Sequence, residues 1–193
     1  MRVLAEKIGF FLARQNHVSS EEREIYSYGA EVILTTGSFI CTALLVGFAI
    51  GRLEECILFL VAFFPIRSFA GGYHAPTASM CLVVSIGYML VSFALSTLLT
   101  AASLPLLVTA ALIIVFACAP VIHPNSPHSQ DHCEVLRFRA RAIACAEWGL
   151  PLLLCGYYPH VAYALGATYF IAACSTFVAA VQQRFGIAEY RKE

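Results

Sequence analysis

Charged side chains are what this sequence has least of. Lys and Arg number 12 and Asp and Glu number 12 in 193 residues, 12% of the chain, against about 25% in a soluble domain. That scarcity excludes an ordinary water-solvated surface. The formal net charge is zero, so charge gives no reason to expect a nucleic-acid partner. No Gly-rich P-loop is present, which argues against nucleotide-driven chemistry, and no His-Glu-x-x-His zinc signature is present either. No cofactor and no metal are therefore expected. The opening residues, MRVLAEKIGFFLARQNH, contain Glu6, Lys7 and Arg14 and lack the apolar core of a cleavable signal peptide. No internal sequence repeat is found.

What the chain has instead is apolar residues, 60% of the total, gathered in blocks at 30–50, 53–66, 80–100, 104–122, 142–157 and 161–181. A span needs ~20 residues to cross ~30 Å of hydrocarbon at 1.5 Å of rise each. Blocks one, three, four and six reach that length. Blocks two and five are short, and either extend into flanking residues, cross a thinned bilayer, or re-enter. The expected fold is all-α: a polytopic membrane helical bundle of about six hydrophobic segments, forming one integral-membrane domain over 1–193. Segment 1–18 reads as an amphipathic interfacial helix, with Leu4, Ile8 and Phe11 on one face and Lys7 and Arg14 elsewhere. An ordinary cytosolic helix packed on the bundle fits it equally well. Ser19-x-x-Glu22 is a capping-box pattern that starts the next helix.

Charge placement orients the bundle. With six spans and the N-terminus inside, eleven basic residues fall on the cytoplasmic side, among them Arg67, Arg137, Arg139, Arg141 and Arg184. Only Arg52 falls outside. This is a strong positive-inside bias. Both termini and the 67–81 segment are then cytoplasmic, and a four-span arrangement with two re-entrant segments keeps 67–81 inside as well. Gly47-x-x-x-Gly51 and Ala162-x-x-x-Gly166 fit small-residue helix packing, although such pairs are common by chance in spans rich in Gly and Ala.

Six of the eight cysteines lie inside apolar runs, where Cys behaves as a small hydrophobe. Cys81 and Cys133 lie near segment ends. Cys81 belongs to RSFAGGYHAPTASMC, which also holds Arg67, Gly71, Gly72 and His74. A thiol and an imidazole are the minimum parts for acyl transfer through a thioester. Pro76 suits a first helical turn, placing Cys81 near a helix N-terminus, which stabilises a thiolate. On one helix, seven residues separate two side chains by ~10 Å along the axis, too far for a hydrogen bond. His74 should therefore precede the helix, in a loop that Gly71 and Gly72 let fold back over Cys81. Their N–H groups also suit an oxyanion. Arg67 has two readings, a snorkelling positive-inside arginine or an electrostatic part of the site. Glu147, Asp131 and Asn125 are all candidates to orient the imidazole.

A competing cluster is HPNSPHSQDHC, with His123, His128, His132 and Cys133. His128 and His132 have the i, i+4 spacing of helical metal pairs, but Pro124 and Pro127 argue for a loop. Segment 122–142 therefore reads as a polar, basic cytoplasmic loop in which Arg137, Arg139 and Arg141 alternate. A small transporter or channel-like bundle is the alternative from another class. Its mark is ionisable residues in mid-span, whereas Glu31 and Glu147 lie near block ends.

The pattern Arg67-x3-Gly71-Gly72-x-His74-x6-Cys81, with the looser APVIHPNSPHSQDHCE of 119–134, resembles the AgrB family (accessory gene regulator protein B) over nearly the whole chain. His128 stands where an apolar residue is expected, outside the catalytic pattern. The resemblance implies a bacterial, multi-pass cell-membrane cysteine peptidase of quorum sensing, acting on an AgrD-type propeptide. Cys81 would be the nucleophile and His74 the base and acid, while Arg67 and Gly72 stand at functionally sensitive positions. Removal of the propeptide's acidic C-terminal tail would leave a thioester that cyclises to a thiolactone or lactone. The family also implies a homodimer. Arg137, Arg139 and Arg141 are candidates to attract the acidic tail, or merely to hold their segment inside.

Overall fold

The computed structural model describes residues 11, 20–73, 75, 77–121 and 130–185. Apart from Phe11, the proposed amphipathic segment 1–18 lies outside the described residues. So do Ser19, His74, Pro76, Asn125, His123 and His128. The side chains of Glu22, Asp131 and His132 are likewise outside the description. Six helices are described: α1 (Ser20–Ala49), α2 (Leu53–Ala70), α3 (Ala78–Leu98), α4 (Leu104–Cys118), α5 (Gln130–Leu154) and α6 (Pro159–Arg184). There is no strand among the described residues.

Local sequence explains most of the helix ends. Glu54 and Glu55 occupy the first turn of α2 and Arg67 the last, each facing the dipole end of opposite sign. Thr77 caps α3, its hydroxyl accepting from Met80 N at 3.2 Å. Helices α4 and α6 both open with proline in the first turn, where the missing N–H costs nothing. Pro65 and Pro151 lie inside α2 and α5, a placement that membrane helices tolerate.

Three helices are long and apolar enough to cross a membrane: Val32–Ala49, Ser79–Leu98 and Pro159–Arg184. Helix α4 is a shorter apolar one. Blocks two and five are lengthened by their flanks, as one expectation held. Block two grows past Ile66 to Ala70, and block five begins upstream at Gln130. At 18 residues, α2 is ~27 Å long, and its ends reach both poles of the bundle. At one pole Arg52 Nη1 donates to Phe93 O at the end of α3 (3.1 Å), and His160 at the start of α6 bonds Glu54 (3.2 Å). At the other, Val121 N beyond α4 donates to Ala70 O (2.9 Å), and Thr176 Oγ1 of α6 donates to Gly71 O (2.9 Å).

Helix α6 is the axis, packing on α2, α3, α4 and α5. Of its span 61% is buried, against 17% for the peripheral α1 span. Ala162, Ala164, Gly166, Ala167, Ala172 and Ala173 line its buried faces, small residues that let backbones approach. Around it pack Phe59, Phe63, Ile66, Met89, Leu104 and Val108, with Phe59 and Phe63 stacked at 4.8 Å. Lipid tails are as apolar as these side chains, so dispersion and close fit, not removal from water, hold them. Ile33, Leu45, Phe48, Val83 and Leu106 point outward, as lipid-facing residues should.

Candidate active site

Arg67 and Cys81 are 14 residues apart, on two helices, and the Gly71-Gly72 turn brings them together. Arg67 Nη2 donates to Cys81 Sγ at 3.4 Å and to Tyr73 O at 3.1 Å. Its guanidinium lies over the Phe63 ring, 5.5 Å from the centroid, a cation–π contact that fixes its plane. Nη1 is shielded from solvent and has no hydrogen-bond partner among the described residues. Cys81 is half-buried in the first turn of α3, its own N–H bonded to Thr77 O at 2.9 Å. Its sulfur therefore sits at a helix N-terminus and beside the Arg67 guanidinium.

The glycine turn is held from behind by α6. Gly71 has φ +80°, which disfavours any side chain, and a Cβ there would lie 2.6 Å from Val121 O. Gly72 is buried, and a Cβ there would meet Ser175 Oγ at 3.1 Å. Ser175 Oγ accepts from Tyr73 N at 3.2 Å, and Thr176 Oγ1 donates to Gly71 O at 2.9 Å. Two buried hydroxyls of α6 thus fix the turn that carries Tyr73 toward Arg67. Sequence reasoning missed Ser175, Thr176 and the Thr77 cap. Hydroxyls within an apolar span are ordinarily read as bonding their own helix, and Thr176 does that too, at 3.2 Å from Ala172 O. Only Thr77-x-x-Met80, a Thr three residues before a helical N–H, was a visible signal.

The three arginines lie on a helix rather than in a loop, because α5 begins at Gln130. Arg137, Arg139 and Arg141 are exposed, but they do not act as one group. Arg139 lies over Phe69, just before Gly71 (5.9 Å), and Arg141 over Phe116 of α4 (5.2 Å). Glu147 is well inside α5, not near a segment end. Its Oε2 is shielded and unpartnered among the described residues, as is the Tyr169 hydroxyl of α6, and the two interact electrostatically. No disulfide joins any of the eight cysteines, and no group of metal-binding side chains is found among the described residues.

Fold and site together define an all-helical membrane protein with a thiol held under a guanidinium at one pole of the bundle. The chain belongs to the AgrB family: the family model described as accessory gene regulator B matches residues 5–181. Membership ties it to the accessory gene regulator system. No curated protein and no solved structure matches the chain.

Proposed function

We propose that this protein is a membrane cysteine endopeptidase that processes an AgrD-type propeptide. The Cys81 thiolate attacks the carbonyl carbon joining the peptide body to its acidic C-terminal tail. His74 takes the thiol proton and returns it to the departing amine as the C–N bond breaks. The body stays on Cys81 as a thioester. An internal Cys or Ser of the peptide then attacks that thioester, closing a thiolactone or lactone ring and releasing Cys81 as a thiol. Exchange of one thioester for another is nearly isoenergetic, so ring closure through sulfur needs no ATP. Gly71 and Gly72 shape the turn, and Arg137, Arg139 and Arg141 attract the tail on the cytoplasmic side. Two copies form a homodimer in the bacterial cell membrane.

The observation that carries the reading is the 3.4 Å contact of Arg67 with the Cys81 sulfur. The same nitrogen holds the carbonyl of Tyr73, the residue directly before His74 in sequence. Cys81→Ala should abolish propeptide cleavage and leave the protein in the membrane, while Cys133→Ala cleaves normally. Full cleavage by Cys81→Ala refutes the assignment. The unpartnered Glu147 and Tyr169 groups favour a second reading, a small transporter, since intramembrane ionisable groups mark transport paths. A thiol-directed activity probe separates the two: only the peptidase reading expects labelling of Cys81 and of none of the other seven cysteines.

A further inference from the structure

Thioester chemistry needs a donor for the oxyanion that forms when sulfur adds to the carbonyl, and in many hydrolases the nucleophile's own backbone N–H supplies it. Here that amide is occupied. Cys81 N is bonded to Thr77 O at 2.9 Å, and Met80 N to the Thr77 hydroxyl at 3.2 Å. Tyr73 N is likewise committed, to Ser175 Oγ at 3.2 Å. Among the described side chains, Arg67 offers an unused donor next to the nitrogen that holds the sulfur, and it is a charged one. Arg67 Nη2 spends itself on Cys81 Sγ and Tyr73 O, whereas Nη1 is shielded and without a partner among the described residues. A buried guanidinium donor left open is costly, so its retention calls for a ligand.

We propose that Arg67 Nη1 is an oxyanion donor of the reaction, binding the scissile carbonyl oxygen as charge develops on it. The guanidinium fork is planar and rigid, and its two terminal nitrogens present parallel donors. With Nη2 on the sulfur, Nη1 is the adjacent donor of the same fork, and in the proposal the carbonyl oxygen of the peptide displaces whatever shields it. The Phe63 ring beneath the guanidinium, 5.5 Å away, keeps the fork from turning aside. When sulfur adds, the C=O pair moves onto oxygen and meets Nη1. When the C–N bond breaks, the pair returns, the proton from His74 leaves with the amine, and the contact relaxes. Arg67 serves again when the peptide's internal nucleophile adds to the thioester. One guanidinium thus holds the nucleophile with one nitrogen and the developing charge with the other.

This inference rests on Cys81 being the acyl carrier, so the test separates the two. Thioester formation at Cys81 is timed by rapid quench with an AgrD-type propeptide. Alkylation of the same sulfur by iodoacetamide is timed in parallel, because displacement at a saturated carbon forms no oxyanion. In Arg67→Lys, which keeps the charge and loses the fork, thioester formation should fall ~100–1000-fold while alkylation changes by no more than a few-fold. Equal losses in both rates would mean that Arg67 acts only through the thiol, and unchanged thioester formation would mean that it donates nothing; either result overturns the proposal. If Arg67→Lys does not fold, Arg67→Gln is read by the same pair of rates, since its amide keeps a planar donor. Absence of any thioester on the parent Cys81 removes the peptidase reading itself, before a variant is made.

Discussion

Cys81 shows how far single residues can be read. Its place near a helix start is legible in the sequence, because Pro76-Thr77 punctuates two apolar blocks; the proposed base, His74, lies outside the described residues. The contact of Cys81 with Arg67 is not legible, because pairing across 14 residues depends on how the Gly71-Gly72 turn is held. That turn is held by Ser175 and Thr176, about a hundred residues away, and nothing local to it in sequence points there. The first prediction concerns these supports. Gly71→Ala forces a side chain into φ +80°, ψ −178°, a region nearly confined to glycine that costs ~1–3 kcal/mol, and drives a Cβ against Val121 O. It should lower the melting temperature in detergent and abolish cleavage. Gly72→Ala meets the Ser175 hydroxyl at 3.1 Å and Arg67 Cγ at an ordinary 3.8 Å, so a shift of a few tenths of an ångström at Ser175 relieves it and it should melt closer to the parent. Thr176→Val keeps the side-chain shape but removes the bond to Gly71 O and should cost ~1 kcal/mol. Equal melting of Gly71→Ala and the parent would show that the turn is not strained as described.

Helix α5 shows what segment-level reading gets right and wrong. Pro124 and Pro127 do argue against helix, but only upstream of Gln130. Beyond them nothing breaks the chain, and the helix starts a dozen residues before the apolar block. An alternating Arg-x-Arg-x-Arg run looks like one charged strip in an extended loop. On a helix Arg137 and Arg141 share a face and Arg139 turns away, which accounts for their separate aromatic partners. This sharpens the prediction for the acidic tail. Arg139, beside Phe69 and so nearest the glycine turn, should matter most. Exposed charge pairs are worth only ~0.2–1 kcal/mol each, so Arg139→Gln should weaken acidic-tail cleavage a few-fold. The triple Arg→Gln variant should lose about ten-fold, less at high salt. If the triple variant cleaves acidic and neutralised tails as the parent does, at low and high salt alike, these arginines serve topology and not recognition.

For the bundle as a whole, the apolar blocks and their order were legible because lipid-facing spans must be apolar along their length. The central position of α6 was not, since its Ala- and Gly-rich face reads like any other apolar stretch until its neighbours are known. Nor was the depth of Glu147, because a charged residue beside an apolar block looks like that block's end. Tyr169→Phe removes a shielded hydroxyl that has no hydrogen-bond partner among the described residues and should raise stability by up to ~1–3 kcal/mol; a clear destabilisation would mean that the hydroxyl is bonded. Orientation is tested by single cysteines introduced as Thr77→Cys, Ser103→Cys and Pro159→Cys. An impermeant thiol reagent outside intact cells should label the second and third and miss the first, and the reverse pattern inverts the bundle. The central claim, that a peptide is carried on this membrane-embedded thiol, is tested most directly by intact mass. Protein reconstituted in liposomes with an AgrD-type propeptide should gain the mass of the tail-less peptide, on Cys81 alone, in a bond that hydroxylamine cleaves. Cleaved tail accumulating with no such adduct in the parent, or an adduct on another residue, contradicts the account.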